Sequence, residues 1–148
     1  MMRRIARGLA AGPAGQAYIE FLLLLPIALL LIAGVIFFGR VLYVQIALEN
    51  AAYDGLRAGI ASLNSGREVQ QAQDAVKWTM AGYHLDARDA RTQVGGYLGG
   101  RGHLMFVKVD YYVTVGDILF VDRFFPGAYI PLGAVAYGRI DEYKSLWE

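Results

Sequence analysis

The sequence predicts an α+β chain: a long N-terminal helix that spans a membrane in its first half, a second helix, and a small antiparallel sheet packed on the long helix. Three observations carry this. Hydrophobic residues make up 56% of the 148 positions and charged residues only 18%, against about 25% charged in an average soluble domain. The apolar excess is gathered near the N-terminus, where residues 21–38 contain no charge. Beyond it the apolar spacing is first helical and then, from Leu104, alternates with a period of two.

The first element begins with a basic leader. Arg3, Arg4 and Arg7 precede any acidic residue. The run FLLLLPIALLLIAGVIFF then spans about 27 Å as a helix, enough to cross a hydrocarbon core. Pro26 falls early in the run, where neighbouring groups can re-satisfy the backbone. Positive flanks stay on the cytoplasmic side, so the N-terminus is expected inside and the remainder exported to the periplasm. A cleaved secretory signal fits less well. Its apolar region is shorter and ends in small residues, whereas this run continues into Phe37-Phe38-Gly39-Arg40. The organisation expected is a basic leader at 1–15, a transmembrane helix at 16–39 and an extracytoplasmic domain at 40–148.

Residues 40–63 keep helical spacing. Leu42, Ile46, Tyr53, Leu56, Ile60 and Leu63 form one apolar stripe. Ala47, Ala51, Gly55 and Gly59 form a second ridge of small residues four apart. Such a ridge admits close approach of another backbone, either this chain's own sheet or a neighbouring subunit. Asn64-Ser65-Gly66 breaks the helix, and Ser65 with Glu68 makes a capping box for the next one. That helix, with Val69, Ala72, Val76, Met80 and Tyr83 on its apolar side, is expected to run to about His84.

Three strands follow. The clearest is Leu104–Val115, with Met105, Val107, Val109, Tyr111, Val113 and Val115 on one face and Lys108, Asp110 and Thr114 on the other. A second is expected at Leu132–Ile140 and a weaker one around Ala90–Gly96. The intervening stretch 116–131 holds Phe120, Phe124, Phe125 and Tyr129, which either complete a core or form a contact surface.

The composition excludes several chemistries. There is no cysteine, so disulfide scaffolds, thiolate metal sites and cysteine nucleophiles are absent. The net charge is +1. Without the three leader arginines, the fourteen basic residues fall to eleven against thirteen acidic, which argues against nucleic-acid binding. Gly95-Gly96-Tyr97-Leu98-Gly99-Gly100 lacks the Gly-Lys-Ser/Thr sequel of a phosphate loop and reads as a connector. His84 and His103 stand far apart. Asp86 with Asp89, and Asp117 with Asp122, lack the spacing of a calcium loop and read as capping or solvated charge. No catalytic, cofactor or metal site is expected, and the chain does not read as an enzyme.

One charge is informative by position. Glu20 opens the apolar run, where a carboxylate is costly unless partnered. The segment Gly15-Gln16-Ala17-Tyr18-Ile19-Glu20-Phe21 after a short basic leader resembles the processing site of type IV prepilins, particularly of the Flp class. That resemblance implies cleavage after Gly15 by a prepilin peptidase, leaving Gln16 as the new N-terminus and Glu20 as its fifth residue. A carboxylate there can pair with the freed α-amine of an adjacent subunit. Together with Pro26, Phe38-Gly39-Arg40, Asn50-Ala51-Ala52, Gly55 and Arg57, the stretch 12–63 is similar to the TadE-like family of minor pilins of the Tad/Flp system. Residues 134–142 match that family in pattern only.

The resemblance implies a type IV pilin-like fold and a role in assembling a Tad pilus used for adhesion, surface colonisation or secretion. It also implies a set of partners: a major Flp-type pilin, a sister minor pilin, the prepilin peptidase, a membrane assembly platform and the lipid bilayer. Gly15 and Gln16 would form the processing site, and Glu20 and Phe21 would set register in the assembly. The alternative is an unprocessed, single-pass, membrane-anchored periplasmic binding module.

Overall fold

The computed structural model describes residues 13–62, 67–96, 104–114 and 127–139, with side chains from Gln16 onward. Its order is α1 (Pro13–Ala61), α2 (Glu68–Gly82), a 3-10 turn (Ala87–Asp89), β1 (Ala90–Gly96), β2 (Leu104–Thr114) and β3 (Tyr129–Arg139). This is the α+β, pilin-like layout read from the sequence. The chain divides into two compact units, Met1–Phe38 and Gly39–Glu148.

In the first unit, α1 opens at Pro13, three residues before the expected start, and continues through Pro26. Proline suits a helix's first turn because its missing N–H would have no partner there. Tyr18, Ile19 and the large apolar side chains from Phe21 to Ile36 are exposed, as is Phe38. They have no protein core to enter.

The second unit is built on the sheet order β1-β2-β3, antiparallel throughout. The period-two face of β2 is buried as expected: Met105, Val107, Val109 and Val113 join Ala134 and Ala136 of β3. Val44, Leu48, Ala51, Ala52 and Leu56 of α1 and Ala72, Val76 and Met80 of α2 complete this core. β2 ends at Thr114, while Val115 and His103 lie outside the described residues. β3 starts at Tyr129 rather than Leu132 because the ladder with β2 extends to Thr114↔Tyr129. Pro131 lies on an edge strand, where proline is tolerated within a sheet.

Three expectations about the helices are corrected. First, the apolar stripe of α1 divides. Leu56 is buried and Ile60 packs against the core, but Leu42, Ile46 and Tyr53 face outward. Leu63 lies outside the described residues. The small residues take the inward side because α2 and β2 approach there more closely than large side chains permit.

Second, α2 is not started by the expected capping box. Its N-cap is Arg67, with no side-chain cap bond, and Ser65 lies outside the described residues. Third, α2 ends at Gly82 instead of His84. The Leu85 N–H bonds the Met80 carbonyl and the His84 N–H bonds that of Ala81, both at 3.0 Å. This is a Schellman closure with His84 at φ 55° in the position glycine usually holds. Leu85, packed against the core, supplies the hydrophobic contact that accompanies such closures.

Candidate functional site

The residues singled out in the sequence fall into two groups, one in each unit. In the first, Gly15 and Gln16 lie in the opening turn of α1, and Glu20 and Phe21 are exposed one turn further on. The Gln16 Nε2 donates to Glu20 Oε1 at 3.0 Å, the i,i+4 contact of neighbours on one helix face. Among the described residues, then, the carboxylate's hydrogen-bond partner is an amide. α1 contains a stretch long and apolar enough to cross a membrane, and none of it is buried in protein.

The second group is the small-residue ridge. Ala47 and Ala51 are fully buried, and Gly55 and Gly59 are buried with them. A Cβ on Gly55 would come within 2.6 Å of Val76 Cγ2, 3.1 Å of the Ala72 carbonyl oxygen and 3.3 Å of Val107 Cγ1. One on Gly59 would sit against the Met105 thioether end and 3.3 Å from Ala72 Cβ. Of the two occupants the sequence left open, the ridge therefore receives this chain's own α2 and β2. It is not available as a face for a neighbouring subunit.

Beside the ridge runs a polar seam that sequence reasoning missed. Asn50 Nδ2 donates to the Tyr83 hydroxyl at 2.6 Å, and the Tyr43 hydroxyl donates to the Tyr83 carbonyl at 3.2 Å. The Thr79 hydroxyl donates to Asp54 Oδ2 at 2.9 Å. The Tyr43 and Tyr83 rings meet edge to face at 5.7 Å. These contacts dock α2 onto α1 around an open groove of about 460 Å³ lined by Asn50, Tyr53, Asp54, Arg57, Thr79 and Tyr83. The signal available beforehand was Asn50 and Asp54, polar residues one helical turn apart in an apolar helix; their partners come from α2 and could not be read from it.

Tyr83→Phe, which deletes only the hydroxyl, is expected to lower unfolding stability by about 0.5–1 kcal/mol, the net worth of one such bond. Chemical unfolding of the full chain in detergent, compared with wild type, measures it. An unchanged midpoint would remove the Asn50–Tyr83 bond from the contacts that hold α2.

The remaining candidates are placed as follows. Asp86 caps the 3-10 turn, its Oδ1 accepting the Arg88 N–H at 2.9 Å. His84 is an exposed turn residue. Asp117, Asp122, Phe120, Phe124 and Phe125 lie outside the described residues. Among the described residues no cluster of His, Asp or Glu could hold a metal ion.

A long apolar helix exposed along its first half and long enough to cross a membrane, followed by an α+β unit packed on its own second half, is a pilin-like layout. Residues 15–57 match the family model described as TadE-like protein. The match opens at Gly15 and closes at Arg57, so it takes in Glu20, the apolar run, most of the small-residue ridge and the α1 side of the polar seam. No curated protein and no solved structure is similar to the chain.

Proposed function

We propose that the protein is a minor pilin of a Tad-type pilus, processed after Gly15 and acting by assembly rather than catalysis. The observation that carries this is the unburied apolar stretch of α1 lying within the TadE-like match. A helix that is apolar all round and uncovered by its own chain requires lipid, other helices, or each in turn. In the bilayer it anchors the protein, with the N-terminus cytoplasmic and the α+β unit periplasmic. Drawn into a fibre, the same surface packs laterally against other pilin helices. The partners on this reading are a major Flp-type pilin, a sister minor pilin, the prepilin peptidase and the assembly platform.

Glu20 then changes partner. The amide of Gln16 satisfies one carboxylate oxygen in the isolated chain. In the fibre an ammonium group, the α-amine freed by cleavage of a neighbour, forms a charge-assisted bond at the same carboxylate. Away from water that pairing favours one register, since any other leaves an unpaired charge.

The direct test is Gly15→Leu in cells with an active prepilin peptidase. Mass spectrometry is expected to find wild type beginning at Gln16 and the variant beginning at Met1, with both inserted in the membrane. An intact 148-residue wild-type chain overturns processing and favours the unprocessed anchored module.

A further inference from the structure

On the outward side of α1, within the second unit, two charges stand in a row with the large apolar residues. Leu42, Ile46, Glu49, Tyr53 and Arg57 follow one another at steps of four, three, four and four, which is a single row along an α-helix. Leu42 and the buried Ala51 are nine residues apart, about two and a half turns, so the row lies on the side of α1 opposite its packed ridge. Leu42 is 62%, Ile46 55% and Tyr53 57% exposed, and Glu49 and Arg57 are exposed with them.

Among the described residues, neither charge in the row has an opposite charge beside it. Arg57 makes no ion pair or hydrogen bond there. Asp54, one turn before it, accepts from the Thr79 hydroxyl at 2.9 Å instead. Glu49 accepts from the Gln45 amide at 3.1 Å, a neutral partner. Glu49 and Arg57 lie eight residues apart, about 12 Å of helix, and do not meet within one chain. Tyr53 and Arg57 also line the open groove beside α2, which leaves room for a side chain to approach the guanidinium.

We propose that this row binds a second copy of the chain, parallel to the first and displaced along it by about two turns, roughly 11 Å. The inference rests on the anchored, assembling protein proposed above, since copies held in one bilayer with one orientation have parallel α1 helices. The charges dictate the displacement. Level with each other, two copies would set Glu49 against Glu49 and Arg57 against Arg57, and juxtaposed like charges oppose association. Displaced by two turns, Glu49 of one copy reaches Arg57 of the other, and Ile46 packs on the Tyr53 ring. The guanidinium and the carboxylate then form a charge-assisted bond, and apolar surface exposed in the single chain is buried. The two copies contribute different residues, so the contact is head-to-tail and leaves each half-row free on one of them. A third copy can therefore add to either end.

The chain has no cysteine, so engineered thiols report this contact alone. Two tagged full-length copies are co-expressed in a host without pilus genes, one with Ile46→Cys and the other with Tyr53→Cys, and the isolated membranes are oxidised. A disulfide requires close Cα atoms, so the mixed product is expected to exceed the Ile46→Cys self-product by about fivefold or more. Glu49→Arg in the first copy, or Arg57→Glu in the second, should each lower the mixed product about threefold or more by opposing like charges. Both exchanges together should restore it, which a folding defect would not do.

A dominant self-product, or a double exchange that fails to restore the mixed product, overturns the inference. So does membrane-inserted protein that forms no disulfide, which would assign the row to a different helix; the assembly reading survives each of these results. Protein recovered outside the membrane removes the anchored reading and this inference together.

Discussion

Glu20→Ala is expected to leave membrane insertion and processing intact and to abolish entry into the fibre. Insertion depends on the apolar run from Phe21 to Phe38, which the substitution does not touch. On the proposed reading cleavage would act between Gly15 and Gln16, one helical turn away. What disappears is the only carboxylate available to a neighbour's α-amine at that level of the helix. Removing one member of a buried ion pair costs about 3–5 kcal/mol because the other charge is left unpaired. The fraction of processed protein found in sheared fibres, against that left in membranes, should therefore fall by about a hundredfold or more. Glu20→Gln keeps the shape and the contact with Gln16 but not the charge, and should fail similarly. Normal fibre entry by either variant would show that the carboxylate does not set register.

Gly55→Leu is expected to be strongly disruptive to the α+β unit. The glycine lies where α1, α2 and β2 converge, and even a Cβ meets the stiff, β-branched Val76 and a backbone carbonyl. Overpacking of a filled core costs about 1–3 kcal/mol and occasionally more. A full leucine at this point should reach about 3 kcal/mol. Gly59→Leu is the instructive comparison, because its nearest neighbour is the flexible end of Met105, which can turn aside. It should lose less. Chemical unfolding of the full chain in detergent, followed by near-ultraviolet circular dichroism, orders the three proteins. A Gly55→Leu variant as stable as wild type would mean that the ridge does not pack against α2 and β2.

How much of this was legible beforehand differs by element. The apolar run is visible because eighteen uncharged residues have few other physical explanations. β2 is visible because strict alternation from Met105 to Val113 matches its buried positions. The proposed site around Gly15 and Glu20 stands out in the sequence for a different reason: it is local, and a carboxylate at the mouth of an apolar helix is conspicuous in one dimension. The start of β3 was missed because Tyr129 and Pro131 carry little strand character of their own. Their pairing with Thr114 and Tyr112 places them in the ladder. The end of α2 was misplaced by two residues because His84 closes the helix in a conformation more usual for glycine.

The sequence by itself determined the order of elements, the membrane-competent half of α1, the informative position of Glu20 and the absence of thiol chemistry. Hydrophobic length, periodicity and composition are properties of consecutive residues, so they survive without a fold. Only the tertiary structure decided which face of α1 turns inward. Periodicity offered a stripe of large residues and a ridge of small ones, and either could have been the packed side. The choice follows from distance. With Val76 and Val107 approaching Gly55 so closely, the small residues must lie between the layers and Leu42, Ile46 and Tyr53 must lie outside.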